Sequence, residues 1–121
     1  MRILGIILLL LITIGSKAQG ISYIETTKGW YYIYDQSGKR IKTISSSQGE
    51  LAGYSSNFYI IKQNSGFYIT YDVTGKRLHT FSTNSMGEIL NATGDTFTSK
   101  NGSWIYTWNK DGKRISTVSA K

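Results

Sequence analysis

Apolar and polar positions along this chain come in short bursts. From residue 20 onward, stretches of five to eight residues rich in Ile, Tyr, Trp, Phe and Thr are separated by clusters of Gly, Asn, Asp and Ser. None of them holds a 3.6-residue period, so the pattern predicts strands joined by tight turns. The first unit is expected to open at Ile21–Thr26, with two further strands on either side of Gly38. Later strands are expected at Glu50–Ser55, Asn57–Gln63, Phe67–Asp72, Arg77–Ser82, Glu88–Ala92, Thr96–Ser99, Trp104–Asn109 and Lys113–Ser119, which makes eleven. The fold class is therefore all-β.

The same pattern occurs three times. Gly29-Trp30 through Asp35 to Gly38-Lys39-Arg40-Ile41 aligns without a gap with Gly66-Phe67 through Asp72 to Gly75-Lys76-Arg77-Leu78. It aligns equally with Ser103-Trp104 through Asn109 to Gly112-Lys113-Arg114-Ile115. Gly38, Gly75 and Gly112 are 37 residues apart, and Thr43, Thr80 and Thr117 keep that register, as do Ile44, Phe81 and Val118. Such periodicity marks a repeat architecture of one supersecondary unit stacked on its copies. The units run at about 21–49, 50–86 and 87–121. Only the first lacks room for an opening strand, which leaves an edge to be covered.

Turn chemistry accounts for most of the recurring motif. Asp35-Gln36-Ser37-Gly38-Lys39 has the pattern of a three-residue hairpin loop, a type I turn closed by a left-handed Gly. Asp at its head bonds the backbone two residues on, and Asn109 does the same without a charge in the third unit. A plain hairpin register then sets Tyr34 opposite Arg40, Tyr32 opposite Lys42 and Trp30 opposite Ile44. The other face would hold Tyr31, Ile33, Ile41 and Thr43. Both faces come out substantially apolar, which suits sheets stacked on sheets.

Composition adds an address. Met1-Arg2, an apolar run from Ile3 to Ile14 and the small residues Ser16 and Ala18 form the pattern of a signal peptide, residues 1–18, cut after Ala18. The apolar run is shorter than the roughly 20 residues a membrane-spanning helix needs, so no transmembrane segment is expected after cleavage. The remaining chain, residues 19–121, has 103 residues, one small domain. Without Arg2 and Lys17 the 14 basic residues fall to 12, which against 7 acids leaves +5. The expected location is secreted or periplasmic, in the cell envelope. No Cys is present, which excludes both a lipid anchor on Cys and disulfides.

The order of an apolar strand, an Ile-Tyr-rich strand, Tyr-Asp-x-x-Gly-Lys-Arg and Ile-x-Thr-Ile resembles a blade of NHL-type and related six-bladed β-propellers. Residues 57–82 and 95–119 fit best. The chain is also similar to short, repeat-only exported proteins of Bacteroidetes, whose leaders likewise end in Ala-Gln. The resemblance implies antiparallel β-meander units that are propeller-blade-like, and no particular activity. Three units are fewer than an ordinary single-chain propeller holds. Three arrangements stay open: an array of stacked sheets, a six-bladed ring completed by a second chain, or closure on internal three-fold symmetry as a β-trefoil or β-prism. The open ends of the first two point to a homo-oligomer.

Motifs for chemistry are sparse, and the expectation is a non-enzyme without cofactors. His79 is the one histidine, and Lys42 and Ser116 replace it in the other units. No His or Cys cluster suits a transition metal. Asn109-Lys110-Asp111-Gly112 lacks the later ligands of a calcium loop. Gly38-Lys39-Arg40 lacks the spacing of a phosphate loop. What recurs is an aromatic beside a cation: Tyr34 with Arg40, Tyr71 with Arg77, and Trp108 with Arg114. These six residues are candidates for binding an acidic glycan in a lectin-like manner, because guanidinium over a ring is attractive. The competing explanation is that each Arg covers its neighbouring ring and each Lys guards an edge. On that explanation the chain is a structural or protein-interaction module. Export makes nucleic acid an unfitting partner.

Overall fold

The computed structural model describes residues 20–120. The leader expected at residues 1–18 lies outside the described residues. Eleven strands follow in chain order: β1 (Ile21–Thr26), β2 (Trp30–Asp35), β3 (Arg40–Ser45), β4 (Glu50–Tyr54), β5 (Phe58–Gln63), β6 (Phe67–Asp72), β7 (Arg77–Ser82), β8 (Glu88–Thr93), β9 (Thr96–Asn101), β10 (Trp104–Asn109) and β11 (Arg114–Ser119). They form three antiparallel meanders, β1-β2-β3, β4-β5-β6-β7 and β8-β9-β10-β11, one per repeat. The sheets stack face to face without closing on one another, so the β-trefoil and β-prism alternatives do not apply.

Single turns of helix join the sheets, a 3-10 turn at Ser46–Gln48 and α1 at Thr83–Met86. The polarity pattern had not marked them. The Ser45 hydroxyl accepts from the Ser47 amide and the Ser82 hydroxyl from the Asn84 amide, the usual Ser N-cap. Each turn ends at a glycine with positive φ, Gly49 at 145° and Gly87 at 73°. A Cβ on either would run into the backbone carbonyl of a neighbouring strand, at Lys62 and Lys100 respectively. The next sheet therefore starts against its own second strand.

Each hairpin at Gly-Lys-Arg is followed by a β-bulge, and this corrects the expected register. Tyr34 is opposite Arg40 as expected, but Ile33 is then opposite Lys42, Tyr32 opposite Thr43, Tyr31 opposite Ile44 and Trp30 opposite Ser45. Ile41 is the extra residue, and Leu78 and Ile115 occupy the same place in the other units. An extra residue shifts every later side chain to the opposite face. Ile44 and Phe81 thereby join Tyr31 and Tyr68 on the buried side, leaving Trp30 and Phe67 on the other.

Two cores result, one in each gap between sheets. Ile24, Tyr31, Ile33 and Ile44 of the first sheet pack on Tyr59, Ile61, Ile69 and Tyr71 of the second. On its other face the second sheet offers Phe58, Ile60, Tyr68 and Phe81 to Phe97, with Met86 from α1. Covered on both sides, β5 buries four consecutive residues from Phe58 to Ile61. Each such side chain contributes about 1.5–3 kcal/mol on full burial. The outer faces of the first and third sheets have no cover among the described residues, and all of β11 is exposed.

Candidate functional site

The Gly-Lys-Arg turns are built from their acidic head. Asp35 Oδ1 accepts from the Ser37 amide at 2.9 Å, the Ser37 hydroxyl at 2.7 Å and the Lys39 amide at 3.0 Å. The Ser37 hydroxyl, then the Lys39 amide, hold its carboxyl below the usual carboxylate range. Asp72 accepts from the Thr74 amide, the Thr74 hydroxyl and the Lys76 amide at 2.9, 2.6 and 2.9 Å. Burial pushes Asp72 up, but those donors outweigh it and its carboxyl also lies low. Asn109 Oδ1 accepts from the Asp111 amide at 2.8 Å. In each turn these bonds tie the head residue to the turn itself.

The second and third turns also receive a residue from the preceding sheet. Lys42 lies over Gly75, and the His79 ring lies over Gly112, where a Cβ would come within 2.6 Å of it. Nothing comes within 4 Å of the same point on Gly38. Thr70, fully buried, donates to the Lys110 carbonyl at 2.7 Å. Tyrosine hydroxyls make a second link between sheets: Tyr31 to the Gly49 carbonyl and Tyr68 to the Gly87 carbonyl, both at 2.8 Å. The sequence signal for those acceptors is the Gly-Glu pair at 49–50 and 87–88, which the 37-residue spacing obscures by one residue.

The six aromatic and arginine candidates are brought together in pairs but not into one surface. Tyr34, Tyr71 and Trp108 are each opposite their arginine, Arg40, Arg77 and Arg114. Tyr71 is only 8% exposed and stacks on Tyr59 at 5.1 Å. Trp108 donates its indole N–H to Ser99 at 3.1 Å and meets the edge of Phe81 at 5.6 Å. Tyr34 lies on the open face of the first sheet, donating to Glu25 at 2.8 Å, and that bond raises its phenol above the ordinary value. The arginines reach one pair further along: Arg40 lies over Tyr32 at 4.1 Å and Arg114 over Tyr106 at 5.6 Å. Ile69 holds the corresponding place in the second unit, so Arg77 has no such ring.

A different row of aromatics is exposed in every unit. Trp30, Phe67 and Trp104 open the third strand of the repeat and are 46%, 42% and 49% exposed. Phe67 belongs to the sheet that is covered on both faces, so its exposure does not come from a missing neighbour. The signal was an aromatic recurring at 37 residues just after a turn.

No family model and no curated protein matches this chain. Among solved structures it is similar to BamB from Moraxella catarrhalis, with 14% identity and a TM-score of 0.49 over 86% of this chain. It is similar to U3-55K, with 10% identity and a TM-score of 0.46 over 83%. A europium-containing methanol dehydrogenase shows 13% identity and a TM-score of 0.41 over 83%. The chain spans 36%, 39% and 26% of those proteins' lengths, well under half of each. BamB and the methanol dehydrogenase are β-propeller proteins. At these scores the fold description rests on strand order and stacking alone: four-stranded antiparallel meanders, packed face to face and closest at their first strands, β4 against β8, are blade-like.

Among the described residues, no three of His, Asp and Glu come together in a way that could hold a metal ion. No helix among them is long and apolar enough to cross a membrane. His79 is exposed and packs its ring against Phe81 and over Gly112.

Proposed function

We propose that this protein is an exported, non-catalytic module that works by protein contact or as a structural element, and that the Trp30, Phe67 and Trp104 row is its contact surface. The observation that supports this reading is the exposure of that row in all three units, including the middle one. Aromatic side chains are enriched at the centres of protein interfaces because they bury large area at low entropy cost. The blade-like units also agree with an origin among six-bladed, NHL-type repeats in an exported protein of the cell envelope, and that kinship belongs to the same proposal.

The test is capture from the native envelope fraction by the full chain, compared with a Trp30→Ser, Phe67→Ser, Trp104→Ser triple variant. Loss of a captured partner in the variant, with the fold retained by circular dichroism, is the expected result. Equal capture by both proteins refutes the assignment of the surface. An acidic-glycan screen addresses the second reading, which Arg40 over Tyr32 on an open face favours. Binding that depends on Arg40 and not on the aromatic row would replace the first reading with a lectin-like one.

A further inference from the structure

The two uncovered sheet faces are the two halves of a contact that the chain already makes twice. Tyr31, Ile41 and Ile44 of the first unit and Tyr68, Leu78 and Phe81 of the second pack against the sheet that follows. Their counterparts in the third unit are Ile105, Ile115 and Val118, and Ile115 and Val118 are each 53% exposed. Leu90, at the place of the packed Ala52, is likewise uncovered. On the receiving side, Tyr59, Ile69 and Tyr71 of the second unit are buried, whereas their counterparts Tyr23, Tyr32 and Tyr34 face outward.

We infer that the outer face of β8–β11 docks on the outer face of β1–β3 of a second copy of this chain, head to tail. This rests on the reading of the protein as a contact module and names one partner for it, on faces that share only Trp30 with the aromatic row, a position that stays exposed under a covering sheet as Phe67 does. The occupant is identified by register. A step of one repeat carries Ser116 onto the place of Lys42 and His79, over Gly38, the one turn glycine of the three motifs that nothing covers. The same step sets Thr107, the counterpart of Thr70, against the Gln36 carbonyl, the counterpart of Lys110. Ile105 replaces the tyrosine whose hydroxyl, at 31 and 68, reaches the start of a fourth strand. The first sheet has no fourth strand among the described residues, so no acceptor there goes unmet.

Area decides how many such contacts are needed. A three-stranded face with six residues per strand measures about 14 Å by 20 Å. One junction therefore covers about 600 Å² counted on both partners, and a stable specific interface needs about 1,200 Å² or more. Two chains that close on each other make two junctions and reach that range. Closure by a second copy is thus the form in which the contact persists, and it removes both exposed faces at once.

Sedimentation of the full chain over a range of concentrations tests this, with Tyr23→Glu to block the receiving face and Val118→Glu to block the docking face. Leu90→Glu substitutes for Val118→Glu if that variant does not fold. The wild type is expected as a two-chain species. Each single variant is expected as a monomer, with association weakened at least tenfold. An equimolar mixture of the two variants is expected to recover a weak two-chain species, since one intact junction remains. Association by Val118→Glu alone as strong as wild type would mean that first sheets pair with first sheets. Association surviving both substitutions in one chain would place it elsewhere, and a wild-type monomer at all concentrations would leave the faces to another occupant. Each of these three outcomes overturns the proposal. Val118→Glu lies on the face opposite Trp104 and away from Trp30 and Phe67, so capture of an envelope partner by that variant is expected to be unaffected, and this proposal and the contact-surface assignment fail independently.

Discussion

Replacing Thr70 by valine removes one hydroxyl from the gap between the second and third sheets and leaves the shape of the side chain unchanged. Thr70 is fully buried and donates to the Lys110 carbonyl at 2.7 Å. Its removal takes the hydroxyl donor from that part-buried carbonyl, and an unsatisfied acceptor costs about 1–3 kcal/mol when buried. The added methyl returns at most about 0.8 kcal/mol of burial. The net loss is about 1–2 kcal/mol, which for a domain of about 100 residues lowers the melting temperature by about 5–15 °C. Thr107→Val is the control: the same residue type at the same repeat position, facing the uncovered side, with a cost below about 0.5 kcal/mol. Urea titrations at low protein concentration, followed by tryptophan fluorescence, give both values, with slopes unchanged from wild type. If Thr70→Val melts with the wild type, or Thr107→Val loses as much, the hydroxyl does not link the sheets and the register transfer built on it fails.

Gly87→Ala is expected to cost about 3–4 kcal/mol, near the top of the range for single substitutions, because the new Cβ strikes the Lys100 carbonyl at a φ of 73°. Gly94→Ala, at a φ of 57° with open space around it, is expected to cost about 1 kcal/mol, and thermal melts of the two separate clash from conformation. Asp35 and Asp72 have folded pKa values below their unfolded ones, so their stabilisation is complete above about pH 4 and disappears as pH falls through the lower folded values. Asp72→Asn, which copies Asn109, is therefore expected to flatten the acid limb of a stability–pH curve; an unchanged limb would count against the turn bonds as its source. Acrylamide is expected to quench single-tryptophan variants that keep Trp30 or Trp104 several-fold more strongly than one keeping Trp108, whose ring packs on Phe81 and bonds Ser99.

The strands and turns were legible in the sequence because their causes are local. Period-two runs of Ile, Tyr and Thr and the Asp-x-x-Gly heads of the hairpins determined eleven strands and three meanders, and the 37-residue spacing made them copies of one unit. The opposition of Tyr34 to Arg40 also followed, since the hairpin loop sets that first pair by itself. The bulge after each arginine was not legible. Ile41, Leu78 and Ile115 look like ordinary strand residues, and the extra residue that turns Ile44 and Phe81 inward shows only in the strand pairing of the fold. Nor could the sequence separate Tyr71 from Tyr34, or Gly112 from Gly38. Those residues are chemically identical within their repeats, and what differs is whether a neighbouring sheet lies over them. Sequence alone determined the repeating unit; the stacking of the units decided which of its faces became core and which remained surface, because burial belongs to the neighbour as much as to the residue.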